Sequence, residues 1–203
     1  MHSSRANTQA GVALGLGTLA LVVSFMLWSL ISPLASGFQK SYHLTNTQVS
    51  LLIAAPVFLG SLGRVVAGAL SDRFGGRRVF AVLLLLSIIP LVTAGFATSY
   101  SALLLSGALL GFAGACFSAG VPFVSRWFPP DKQGLALGVY GMGNIGTAVT
   151  ALLAPRIATA GGVSWAFWAM IPVALLLAAL LFLVARDSPA LKAVAANPPG
   201  IGT

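Results

Sequence analysis

Acidic side chains are nearly absent from this chain of 203 residues. It has no glutamate and three aspartates, Asp72, Asp131 and Asp187, against 11 lysines and arginines. Charged residues make up only 7% of the sequence and apolar ones 58%. A soluble domain carries roughly 25% charged residues, so this chain lacks the polar atoms to cover a water-facing surface. It reads as an integral membrane protein. The shortage of acids leaves no carboxylate pair for acid–base work. The two histidines, His2 and His43, lie outside the apolar runs. No metal-ligand cluster and no nucleophile–base arrangement falls within those runs, so neither an enzyme nor a cofactor is expected. The single cysteine, Cys116, has no partner for an internal disulfide and reads as a small buried side chain in an apolar run.

What the chain does have is length of apolar sequence. A spanning helix needs about 20 mostly apolar residues, and six stretches meet this, near 11–36, 48–70, 79–97, 101–126, 133–158 and 164–185. The expected fold is all-α, with six transmembrane helices. The breaks between them carry turn chemistry: Thr45 or Asn46 as a helix cap, the charged "SDRFGGRR", the polar "TSYS", Asp131 as an N-cap after two prolines, and the glycine turn "AGGVS". The first apolar run is longer than the 7–15 residues of a signal-peptide core and is expected to remain as a helix. The organisation expected is a cytoplasmic N-terminus (1–10), a six-span bundle (11–186), and a cytoplasmic tail or start of a central linker (187–203).

The net charge of +8 would point to nucleic acid on a soluble protein. Here its distribution explains it. Arg5, Arg73, Arg77, Arg78, Arg126, Lys132, Arg186 and Lys192 fall on one side of a six-span arrangement, and Lys40 and Arg156 on the other. The basic side is expected to be cytoplasmic, which puts both termini inside and removes the need for a nucleic-acid partner. Trp165 and Trp168 would lie in an outer aromatic belt.

The stretch "GVYGMGNIGTA" contains Gly141, Gly143 and Gly146 at the G-x-G-x-x-G spacing of a dinucleotide loop. Such a loop needs a strand before it and an acidic residue about 20 positions later, and both are missing. At 100° per residue, Gly134, Gly138 and Gly141 share one stripe, while Gly143, Thr147 and Thr150 lie roughly opposite. Small residues on two faces suit close helix packing. Asn144 lies between the stripes, and two readings stay open for it: an interhelical hydrogen bond, or a polar contact for a ligand.

Arg64 is the conspicuous charge. It lies about 16 residues into the second apolar run, where a cation costs at least ~2.5–3.5 kcal/mol on insertion scales. No carboxylate occurs within the spans to pair with it. Gly60, Ala67 and Gly68 flank it at helical spacing and are expected to leave room around the guanidinium. An unpaired, planar, two-pronged cation suits an oxyanion. At 1.5 Å per residue, Arg64, Phe117 and Asn144 lie about 12, 13 and 18 Å from the basic ends of their spans, near the midplane of a ~30 Å core. Phe117 reads equally as a core or lipid-facing aromatic.

Two stretches resemble known families. "GALSDRFGGRR" (Gly68 to Arg78) resembles the loop between spans two and three of the major facilitator superfamily. The resemblance implies a latch to a neighbouring bundle by Asp72 with Arg73, Arg77 and Arg78. "WFPPDKQGLALGVYGMGNIGTAVTALLAP" looks like the nitrate signature region of the nitrate/nitrite porter family. In that resemblance, Arg64 after "PVFLGSLG" matches the substrate arginine, Asn144 the signature asparagine, and Phe117 in "GACFSAG" an aromatic that stacks on the anion. Gly141 and Gly143 belong to the same signature. The family has about 12 spans, in two six-span halves. The chain is therefore expected to supply one half of a nitrate or nitrite transporter in the inner (plasma) membrane. Its mate would be a second six-helix half or a homodimer partner. The alternatives are a carrier of another small anion, or a membrane partner protein that does not transport.

Overall fold

The computed structural model describes residues 2–191, with side chains from residue 7 onward. Residues 192–203 of the expected tail, Lys192 among them, and the side chain of Arg5 lie outside the described residues. The described part is helical, and six stretches are long and apolar enough to cross a membrane. The first span comprises α1 (His2–Trp28) and α2 (Ile31–Ser41), and the second is α3 (Asn46–Phe74). The third comprises α4 (Gly76–Leu86) and α5 (Ile88–Gly95), and the fourth α6 (Tyr100–Leu109) and α7 (Gly111–Ser125). The fifth runs through α8 (Pro130–Gly141), a 3₁₀ turn (Met142–Asn144) and α9 (Ile145–Gly161), and the sixth through α10 (Val163–Trp168) and α11 (Met170–Leu183).

Three of the breaks share one cause. Pro33, Pro90 and Pro172 each stand third in the helix that restarts, α2, α5 and α11. There the missing N–H is one the first turn leaves unpaired anyway. Each span therefore bends before its proline without giving up much backbone hydrogen bonding. The first candidate span covers 35 residues, Asn7–Ser41. At 1.5 Å per residue that is longer than a ~30 Å core, so it must tilt or project beyond the bilayer.

Thr45 is the cap of α3, in a reciprocal box with Gln48. The Gln48 amide donates to Thr45 Oγ1 at 3.3 Å, and the Thr45 amide to Gln48 Oε1 at 2.9 Å. Asp131 does not cap α8, contrary to expectation. The cap position belongs to Pro129, with Pro130 opening the helix and Asp131 inside its first turn. A proline is already set for that first position, and the carboxylate still faces the positive helix end. Gly75 and Gly162, both at φ 92°, turn the chain where a side chain would be strained.

α7 sits centrally, packed on α1, α3, α4 and α8. It meets α3 almost backbone to backbone: a Cβ on Gly111 would stand 2.6 Å from the Gly60 amide nitrogen. The glycines of the fifth span divide along the expected stripes, but only one of the two stripes packs closely within this bundle. Gly143 packs on Leu21, Gly146 on the Val22 carbonyl, and Thr150 Oγ1 donates to the Met26 carbonyl at 3.0 Å. These three hold α9 and its preceding turn against α1. Gly134, Gly138 and Gly141 have nothing within 4 Å of a would-be Cβ, so they serve no close packing within this bundle. The same side carries exposed Leu135, Met142 and Ile145, and α3 likewise exposes Phe58, Leu62 and Val65.

Candidate functional site

Arg64 is half-buried on α3, and its Nε donates to the Gly114 carbonyl of α7 at 3.3 Å. Its guanidinium carbon stands 5.9 Å from the centre of the Trp28 ring and 5.8 Å from that of Phe117. Such cation–π contacts contribute about 0.5–2 kcal/mol each, more when desolvated. With one hydrogen bond they offset much of the cost of a cation in a span. They occupy ring faces and leave the outer N–H donors of the fork available. Among the described residues, no carboxylate forms an ion pair with Arg64.

The room around Arg64 arises in an unexpected way. Gly60 does not supply it, because it is packed on Gly111 and the Trp28 indole, and Ala67 is buried. Of the three flanking residues only Gly68 faces open space. The vacant volume lies instead between α1, α3, α7 and the fifth span. It is a hollow of about 400 Å³ lined by Phe25, Trp28, Arg64, Phe117, Gly141 and Asn144.

Packing fixes each wall. Trp28 Nε1 donates to the Pro56 carbonyl at 3.1 Å, and the indole fills the space left by Gly114. Phe25 stands edge-on to Trp28 (5.2 Å, 85°) and to Phe117 (6.5 Å, 83°). Tyr140, buried, lies 5.8 Å from the Phe117 ring and donates its hydroxyl to the Phe117 carbonyl at 3.1 Å. Asn144 ends the 3₁₀ turn and is exposed. Its carbonyl accepts from Thr147 Oγ1 at 2.9 Å.

The structure thus gathers Arg64, Phe117, Asn144 and Gly141 around one space. Gly143 does not line it and faces Leu21 instead. Sequence reasoning missed Phe25 and Trp28. Their spacing of three on α1 was the available signal, because it puts two aromatics on one helix face. Chemically, the hollow offers a fork of donors, an amide and aromatic faces, with no competing carboxylate in its lining. That suits a small planar anion. A water's share of liquid volume is ~30 Å³, so the space is far larger than a single small oxyanion needs.

The basic ends of the spans form a second arrangement. Asp72 pairs with Arg126 at the end of α7, Oδ1 to Nη2 2.6 Å. The Arg77 amide donates to Asp187 Oδ1 at 3.0 Å, and Arg77 Nη1 to the Phe182 and Ala185 carbonyls at 3.2 and 2.9 Å. Trp127 Nε1 donates to the Arg186 carbonyl at 3.2 Å, and Ser188 Oγ to the Arg126 carbonyl at 2.7 Å. Arg73 lies over Phe74, and Arg78 is exposed. Arg126 and Asp187, which sequence reasoning placed only as span-end charges, are the partners that tie this end together.

Six apolar helices in one bundle, with a cationic, aromatic-walled hollow part-way along them, define a multi-pass membrane protein. The family model of the Major Facilitator Superfamily matches residues 17–200, and the chain belongs to that superfamily. Over 178 residues it is 39% identical to a probable nitrate/nitrite transporter, NarK2, of Mycobacterium tuberculosis, covering 86% of this chain and 45% of that protein. It is 42% identical over 158 residues to a probable nitrate transporter, NarT, of Staphylococcus carnosus, covering 78% and 40%. The chain therefore spans under half the length of these relatives. In fold it is similar to the xylose transporter XylE of E. coli in a partially occluded inward-open conformation (TM-score 0.77, 16% identity, 91% of this chain and 52% of that one). It is likewise similar to a bacterial homologue of the human lysosomal transporter Spinster (TM-score 0.75, 19% identity, 89% and 44%). The architecture is one half of a major facilitator fold.

Proposed function

We propose that this chain supplies the first half of a transporter that moves nitrate or nitrite across the inner membrane by alternating access. The observation that carries the reading is the convergence of Arg64, Phe117, Gly141 and Asn144 on one hollow beside an exposed face. The relatives' names add the substrate class. In this reading the fork of Arg64 binds two oxygens of the anion, Phe117 lies against its plane, and the Asn144 amide donates to it. Gly141, with no side chain, leaves the anion room. Gly143 contributes indirectly, by seating the turn that holds Asn144 against Leu21. No bond of the anion is made or broken.

The large open volume is closed by a second six-helix half, or by a second copy of the chain, which contributes a further cation across the anion. Alternating access needs two bundles that move about a shared site. In this reading the charged loop of Asp72, Arg73, Arg77 and Arg78 is the cytoplasmic latch, with Asp72 paired to Arg126 and Arg77 to Asp187 in the state seen here, and both termini are cytoplasmic.

Reconstitution tests the proposal. The purified chain is placed in liposomes with and without a co-expressed second half, and nitrate flux is followed with nitrite, chloride and acetate as competitors. Flux that needs the second half, and yields to nitrite ahead of acetate, is expected. Flux from a verified monomer would overturn the half-transporter reading. Acetate competing best would replace nitrate by an organic anion.

A further inference from the structure

A second hollow, remote from Arg64, lies where the second and third spans meet the exit of the sixth. It has a volume of about 410 Å³, and its lining includes Phe74, Arg77, Arg78, Arg186, Asp187 and Leu191. We propose that it binds the phosphate group of an anionic phosphate ester, seated at the membrane boundary.

Charge is the first ground. Three arginines stand against one acid in this lining. Asp187 is already committed: it accepts the Arg77 amide at 3.0 Å and stands 3.8 Å from Arg77 Nε. Arg77 spends Nη1 on the carbonyls of Phe182 and Ala185. Its Nε is buried without a hydrogen-bond partner among the described residues. Asp187 therefore matches Arg77 alone. Arg78 and Arg186 are both exposed, and neither forms an ion pair among the described residues. Two free planar forks around one cavity suit a tetrahedral oxyanion, which offers several acceptor oxygens.

The second ground is the surroundings. Leu183 and Val184, which are 83% and 46% exposed, stand three and two residues before Arg186, with buried Ala185 between, and Phe74 in the lining is 49% exposed. A cationic hollow thus borders an apolar, outward-facing wall at the end of the spans. Lipid headgroups lie at that level, with acyl chains beside the wall. A dissolved phosphate would use the same guanidiniums and leave the wall unused.

The chain, purified in a mild detergent, is offered equal amounts of phosphatidylglycerol and phosphatidylcholine with identical acyl chains, and bound lipid is counted by native mass spectrometry. Phosphatidylglycerol is expected to be retained in about tenfold preference, given two cations near the anionic group. The preference should vanish in the double variant Arg78→Gln, Arg186→Gln and persist in Arg156→Gln, which removes a cation from the far end. Should the double variant fail to fold, Arg186→Gln alone, at an exposed position, is expected to weaken the preference. In a second arm, inorganic phosphate is titrated in lipid-free detergent while the thermal midpoint is followed. A saturable rise that the same variants abolish keeps the phosphate site and assigns it to a soluble ligand. Equal retention of the two lipids with no response to phosphate overturns the proposal, as does a preference undiminished by the variants.

Discussion

The hydroxyl of Tyr140 donates to the backbone carbonyl of Phe117, the residue whose ring stands 5.8 Å from both Tyr140's own ring and the Arg64 guanidinium. The fifth span is thereby keyed to the aromatic wall of the hollow by a side chain that does not line it. Gly120 makes this possible, because any Cβ there would meet the Tyr140 hydroxyl.

Tyr140→Phe keeps the ring and removes the hydrogen bond. A buried hydrogen bond contributes about 0.5–1.5 kcal/mol, so the fold should survive with a slightly lower thermal midpoint. Nitrate affinity in a complete transporter is expected to fall a few-fold through loosened placement of Phe117. A purely structural tyrosine would lower the midpoint and leave KM unchanged, and that outcome would remove Tyr140 from the site's support.

Two glycine substitutions on the same span should behave oppositely. Gly146→Ala drives a methyl into the Val22 carbonyl. Backbone cannot yield as a side-chain tip can, and overpacking costs about 1–3 kcal/mol, which in a chain of this size lowers the midpoint by roughly 3–10 °C. Gly138→Ala meets nothing within 4 Å and gains up to ~1 kcal/mol of helix propensity. Its midpoint in the isolated chain should be unchanged or higher. Equal losses for both would mean that the open stripe is covered in the isolated chain, by a second copy for example.

Asp72→Asn separates cycling from binding. Asp72 is exposed, and its ion pair with Arg126 belongs to a class that contributes about 0.2–1 kcal/mol. Stability should hardly change. If the pair helps hold one state of a two-state element, turnover of nitrate transport should fall while affinity stays within a few-fold. Lost affinity with normal turnover would contradict the latch.

Much of this fold was legible because a span is written in composition: long apolar runs broken by charge, glycine and proline. The bends were not, because a proline near the start of a restarted helix looks the same in sequence as one inside a continuous run. Arg64 was legible for its contrast, a lone cation in an apolar segment. Phe25 and Trp28 lacked that contrast, being aromatics among aliphatics, and only the docking of α1 on α3 and α7 turns them toward Arg64. The Asp72–Arg126 and Arg77–Asp187 pairs were hidden for another reason. Their partners are 54 and 110 residues apart, and at an end of the bundle where arginines outnumber acids, charge alone does not say which arginine meets which acid.

Arg64→Lys tests the anion site most directly, because the two side chains share a charge and differ in shape. Lysine keeps the cation but offers a compact ammonium on a flexible stem, without the planar pair of donors. It also loses the Nε–H that anchors the arginine to the Gly114 carbonyl, so the charge is free to turn away from the hollow. A hydrogen bond to a charged group contributes about 1.5–3 kcal/mol, and losing one prong should therefore weaken nitrate binding by about tenfold or more. The measurement is nitrate affinity in a complete transporter carrying the change, read beside Trp28→Phe. That second variant keeps an aromatic face toward the guanidinium while losing the bond to Pro56. If the fork is what binds the anion, Arg64→Lys should be much the more damaging of the two. Near-normal affinity in the lysine variant would mean that charge alone suffices, and it would take the two-pronged contact out of the mechanism.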